Sequence, residues 1–208
     1  MKERKTPEKI LEEYLLAVKK GDTEAMVNIG LLLEEQGKIE DAKKWYLRSI
    51  ERGNMKTAGN LAFLYEAEGN LKEAEEILLK ASKSNDPDSM NNLGIFYENR
   101  NRNREAEKWY LKAIEAGQED ALSNLGFLYN NVLGENVKAE EYFLKAAEKG
   151  DANVMNALGM IYSSRGQIEK TEEWFLKGAN LGNMESRKNL VILYEYQGKF
   201  DEAMKYKD

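Results

Sequence analysis

The chain has 208 residues, of which 33% are charged and 42% hydrophobic, with a net charge of −6 and a pI of about 5.1. It contains no cysteine and no histidine, which excludes disulfides, thiolate nucleophiles, imidazole bases and Cys/His metal sites. The acidic balance speaks against nucleic acid, whose binding rests on phosphate neutralisation, and no apolar run approaches the ~18 residues of a membrane-spanning helix.

The chain opens on Met1 and four charged residues, which lead into an amphipathic segment and not into a signal-peptide core. With the lack of cysteine this fits a cytoplasmic protein. Residues 7–20 then read as one helix. Tyr14, Ala17 and Gly21 align with Phe143, Ala146 and Gly150 much later in the chain, so the sequence begins on the second half of a repeating unit.

From Asp22 onward the repeat is explicit. Met26, Ile29, Gly30 and Leu33 fall at i, i+3, i+4 and i+7, giving a helix with one buried stripe. Gly37 marks a turn. A second helix carries Ala42, Trp45-Tyr46 and Ser49 and ends before Gly53. Further repeats start near residues 54, 86, 118, 151 and 183. Their leading pairs are Leu61-Ala62, Leu93-Gly94, Leu125-Gly126, Leu158-Gly159 and Leu190-Val191; with Ile29, the leaders lie 32, 32, 32, 33 and 32 residues apart. Four residues beyond each leader stand Leu33, Tyr65, Tyr97, Tyr129, Tyr162 and Tyr194. The fourth repeat has one extra residue, near residues 130–134. A glycine inside a helix costs ~1 kcal/mol relative to alanine, so Gly or Ala after five of the six leaders predicts a close approach of two helices. Asp22, Asn54, Asp86, Gln118, Asp151 and Asn183 sit where helix N-caps belong. The last repeat stops two turns into its second helix, and no polar capping helix is evident at either end. That suggests a piece of a longer protein or association through the ends.

The order Leu-Gly-x-x-Tyr, Gly, Ala, aromatic, Ala resembles the tetratricopeptide repeat; Leu61-Ala62, Tyr65, Gly69, Ala74, Leu78 and Ala81 match its spacing position by position. The junctions, as in residues 139–151, resemble the Sel-like branch (SLR) of that superfamily. The resemblance covers about residues 8–206. It implies an all-α fold, a right-handed superhelical α-solenoid of antiparallel helix–turn–helix repeats, forming a single repeat domain over residues 1–208. It also implies a non-catalytic protein without cofactor, an interaction module that binds a peptide or partner protein in a concave groove lined by the first helices. A self-assembling scaffold, or a regulatory repeat domain of a larger protein, are the alternatives.

The resemblance also carries groove positions, counted from each leader. Minus one reads Asn28, Asn60, Asn92, Asn124, Ala157 and Asn189, either an amide ladder for an extended peptide backbone or braces to the neighbouring repeat. Plus two reads Leu31, Phe63, Ile95, Phe127, Met160 and Ile192, either an apolar groove floor with Phe63 and Phe127 exposed or packing between first helices. Plus five reads Glu34, Glu66, Glu98, Asn130, Ser163 and Glu195; with Glu24, Asp88, Asp120 and Glu185 at minus five this is either an acidic groove edge or an ordinary solvated face. Together these predict a partner that combines apolar and basic side chains. A carboxylate-gripping mode is disfavoured, because minus two reads Val27, Gly59, Asn91, Ser123, Asn156 and Lys188 and plus two is apolar. Trp45, Trp109 and Trp174 read as packing residues, and no carboxylate pair stands out as an acid/base couple.

Overall fold

The structure is a computed structural model and describes residues 6–207; residues 1–5 and Asp208, with the charged amino-terminal run, lie outside it. The described residues form helices and no strand. They divide between Arg100 and Asn101 into two compact units. The first holds α1 (Pro7–Lys19), α2 (Thr23–Glu35), α3 (Ile39–Glu51), α4 (Ala58–Ala67), α5 (Leu71–Ser82) and α6 (Pro87–Glu98). The second holds α7 (Asn103–Glu115), α8 (Asp120–Phe127), α9 (Asn136–Glu148), α10 (Ala152–Ser164), α11 (Ile168–Asn180), α12 (Met184–Tyr196) and α13 (Phe200–Met204). The even-numbered helices are the first helices of the repeats.

Helix starts follow side-chain chemistry. Asp22 accepts from the amides of Glu24 and Ala25 at 2.9 and 3.1 Å. Asp86, Asp151 and Asn183 cap α6, α10 and α12 in the same way. Each such cap is worth ~1 kcal/mol. The two other expected caps differ. Asn54 donates to Glu24 at 3.3 Å, and α4 is entered through a 3₁₀ turn, Met55–Thr57. Gln118, with a longer side chain, accepts from the Asp120 amide at 3.2 Å, one position short of the usual cap geometry. Asn85 and Asn101 hold the left-handed turns with φ of 58° and 57° where the other repeats carry glycine; asparagine tolerates that conformation best after glycine.

In three repeats the small residue after the leader is explained by a ring. A Cβ on Gly30 would lie 2.2 Å from the Tyr46 ring, and one on Gly126 or Gly159 within 2.5 Å of the rings of Phe143 or Phe175. Ala62 is tolerated in the repeat whose ring position holds Leu78; both are buried. Val191 is tolerated in the repeat whose ring position holds no ring but Lys207, which pairs with Glu195 at 2.7 Å.

In four repeats a tyrosine–glutamate bond ties the first helix to the second helix before it. Tyr97 donates to Glu75 at 2.7 Å, Tyr129 to Glu107 at 2.6 Å, Tyr162 to Glu140 at 2.6 Å and Tyr194 to Glu172 at 2.8 Å, always 22 residues apart. One repeat inverts the charges. Lys43 stands in the glutamate position, its ammonium 5.6 Å over the Tyr65 ring and 2.7 Å from Glu68. Burial alone would lower the Lys43 ammonium, but hydrogen bonds to Glu40 and Glu68 outweigh it and hold its pKa above the ordinary value. The extra residue of the fourth repeat is absorbed in a π-helical turn, Leu128–Leu133, closed by Gly134 at φ 67°.

Candidate functional site

The apolar stripe of each first helix is spent on the core, so its other face decides what the chain can bind. Leu31, Phe63, Ile95, Met160 and Ile192 all stand exposed there, Phe63 at 68% and Ile192 at 64%. Phe127 differs from the expectation. It is half-buried, with its ring 4.9 Å edge-on to Phe143, because Gly126 lets the Phe143 ring come up beside it.

Each unit has a recess at the same repeat positions. Between α4 and α6 a recess of about 500 Å³ is lined by Phe63, Glu66, Asn92 and Ile95 over Leu78. Between α10 and α12 a recess of about 510 Å³ is lined by Met160, Ser163, Asn189, Ile192 and Tyr196 over Phe175. In both, the plus-two and plus-five residues of one repeat face the minus-one, plus-two and plus-six residues of the next.

The asparagines are half-buried, and two of them contact the neighbouring repeat. Asn189 lines its recess, yet its amide also donates to Asn156 at 2.9 Å and lies 3.7 Å from the Met160 sulfur. Asn92 sits so close to Gly59 that a Cβ there would meet its amide nitrogen at 2.4 Å. Asn124 is engaged by other groups. Asn28 is half-buried on α2, and Asn60 lies beside the Tyr46 phenol.

The acidic edge is not a uniform solvated row. Arg100 pairs with Glu66 at 2.9 Å, donates to the Phe96 carbonyl at 2.8 Å and lies 3.7 Å over the Phe96 ring. Glu195 is closed by Lys207, and Glu98 is engaged. Glu34 stands apart: its Oε1 is buried beside the buried Tyr46 hydroxyl, and among the described residues no lysine or arginine pairs with it. Burial first, then the Glu34 carboxylate, push the Tyr46 phenol well above its ordinary pKa. The tryptophans are half-buried beneath cations three residues on, with Lys112 4.3 Å over Trp109 and Lys177 4.1 Å over Trp174. Arg48 lies 5.1 Å over Trp45.

Tetratricopeptide repeat models match residues 23–52, 56–86 and 88–119, and a Sel1 repeat model matches residues 120–151 and 152–183. The chain belongs to the tetratricopeptide and Sel1 repeat superfamily. Tetratricopeptide and Sel1 repeats are in general protein-interaction modules. No curated protein matches the sequence. Among solved structures, this repeat chain is similar to a Sel1 repeat protein from Oxalobacter formigenes, 26% identical with a TM-score of 0.69, over 90% of this chain and 86% of that one. It is similar to pilF of Pseudomonas aeruginosa, 22% identical with a TM-score of 0.71, over 88% of each chain. It is also similar to c5321, a protective antigen of uropathogenic Escherichia coli with an SLR fold. That likeness is 24% identical with a TM-score of 0.72, over 94% of this chain and 47% of the other. The last two similarities speak to the fold alone.

Glu75, Glu107, Glu140 and Glu172 were not singled out by the sequence reading. Their constant 22-residue distance to a tyrosine was the signal that could have found them. Arg100 carries no such signal, since the other repeats hold Gln36, Glu68, Val132, Arg165 or Gln197 in its place.

Proposed function

We propose that the chain is a peptide-binding module whose binding surface is the outward face of its first helices, with apolar side chains of the partner seated in the recesses. The observation that carries this reading is the recurrence of one recess, at the same repeat positions and of nearly the same volume, about 500 and 510 Å³, in both units. Each pairs exposed apolar residues, Phe63 and Ile95 or Met160 and Ile192, with a half-buried asparagine. Apolar residues at that exposure gain from being covered, ~25 cal/mol per Å², and the amide supplies donor and acceptor to a peptide backbone.

A random-peptide display selection on the full chain tests it. Peptides selected on the native chain should bind the Phe63→Ala, Ile192→Ala double variant more than tenfold more weakly, since loss of an aromatic anchor costs ~2 kcal/mol or more. Circular dichroism and melting should stay near native, because both side chains face outward. Selected peptides that bind the double variant as well as the native chain would place the site elsewhere.

A second reading, association of copies, is favoured by Phe200 and Met204, 66% and 62% exposed on α13. Light scattering behind size exclusion would show mass rising with concentration, and a constant monomer mass would remove it.

A further inference from the structure

The repeat supplies its own control experiment on Glu34. Two groove glutamates take a cation from two different places: the ring position of the same repeat, as Lys207 serves Glu195 at 2.7 Å, or the residue just past the next first helix, as Arg100 serves Glu66 at 2.9 Å. For Glu34 the first place holds Tyr46 and the second holds Glu68. The phenol is fully buried and can offer one hydrogen bond but no charge. Glu68 is acidic and already held by Lys43 at 2.7 Å. Among the described residues no lysine or arginine pairs with Glu34, and its Oε1 is buried beside the uncharged Tyr46 phenol. A half-buried carboxylate without a cation of its own is a ready partner for a guanidinium arriving from outside, through a charge-assisted hydrogen bond.

We propose that the face between α2 and α4 reads an arginine of the partner peptide: its guanidinium pairs with Glu34 as the chain's own Arg100 pairs with Glu66, while neighbouring apolar side chains of the peptide lie on Leu31 and Phe63. Leu31 and Phe63, 43% and 68% exposed, flank Glu34 on these two helices. Arg100 shows the chemistry such a group would find, a carboxylate in the plus-five position with a helix-terminal carbonyl beside it. Arginine fits this better than lysine because its planar fork can bond carboxylate and carbonyl together. The inference rests on the peptide-binding reading of the first-helix face and adds the chemical class of the ligand.

The test begins with the peptide selected most strongly from the random library on the full chain, with titration calorimetry as the readout. An arginine beside apolar residues is expected in it. Replacing that arginine by citrulline, which keeps the shape and removes the charge, should weaken binding about tenfold, ~1.4 kcal/mol. Glu34→Gln should abolish the difference between the two peptides. So should Lys43→Glu combined with Glu68→Arg, which reproduces the Glu75 and Arg100 arrangement and gives the face its own arginine. This double variant should remain fully helical, since the neighbouring repeat already folds with that arrangement. Peptides selected for apolar residues alone, or arginine and citrulline forms that bind the native chain equally, would overturn the arginine assignment and leave the peptide reading standing. Failure of the native chain to select any peptide would overturn both.

Discussion

Gly126 meets Phe143 at a distance that leaves no room for a methyl group: an added Cβ would lie 2.5 Å from the ring. Overpacking of this kind costs ~1–3 kcal/mol, more than the ~1 kcal/mol that alanine gains over glycine in a helix. Gly126→Ala should therefore lower the melting temperature. Adding Phe143→Leu should recover part of the loss, because that pair restores the combination already present as Ala62 and Leu78. Additive losses in the double variant, measured as unfolding free energies in a double-mutant cycle, would refute the size-matching argument. A second prediction at this scale concerns Tyr162. Burial, and then the Glu140 carboxylate, push its phenol up to about 12 from an ordinary value near 10. The neutral phenol is thus favoured by the fold. Its contribution is fully present below pH ~10 and is lost as the pH rises toward ~12. Tyr162→Phe should cost ~1 kcal/mol at neutral pH and flatten the alkaline fall in unfolding free energy over that window. An unchanged alkaline slope would show that Tyr162 is not linked to folding.

At the scale of the element, the π-helical turn of Leu128–Leu133 is the local answer to one surplus residue. The left-handed residue follows the tyrosine by four in Tyr97–Asn101, Tyr162–Gly166 and Tyr194–Gly198, but by five in Tyr129–Gly134. Asn131 is exposed, so deleting it should return the turn to α-helical spacing with a melting temperature equal to the native one or higher. A drop of more than a few degrees would mean that the wide turn is needed for packing. Helices and turns were legible in the sequence because they are local: periodicity, Gly or Asn at the turns, and four of six expected caps recur where the spacing puts them. What was not legible depends on partners distant in sequence. The exposure of Phe127 hinges on how far the Phe143 ring rises beside Gly126. The state of Glu66 hinges on Arg100, 34 residues away. Plus-two and minus-one positions identified the face, but the charges on its edge are set by such pairs and had to be seen.

At the scale of the molecule, the packing that holds the chain is divided among neighbours. In the first unit Tyr46, Ile50, Ala58, Leu61 and Leu64 form one buried cluster; in the second, Phe175, Leu190, Leu193 and Tyr194 form another. Every tyrosine–glutamate bond joins a helix to the one immediately before it or, for Tyr129, to the second helix preceding its own repeat. Stability built this way is a sum of repeat and nearest-neighbour contributions, so damage should spread by adjacency. Gly159→Ala places a Cβ 2.4 Å from the Phe175 ring and loosens the contact between α10 and α11. Native-state hydrogen exchange should show amide protection falling first in α10, α11 and α12, with opening free energies there reduced by ~1–3 kcal/mol. Protection in α2 and α3, whose core shares no residue with that contact, should be unchanged within experimental error. Equal loss of protection in both units would mean that the chain unfolds as one cooperative body and that nearest-neighbour contacts do not describe its stability.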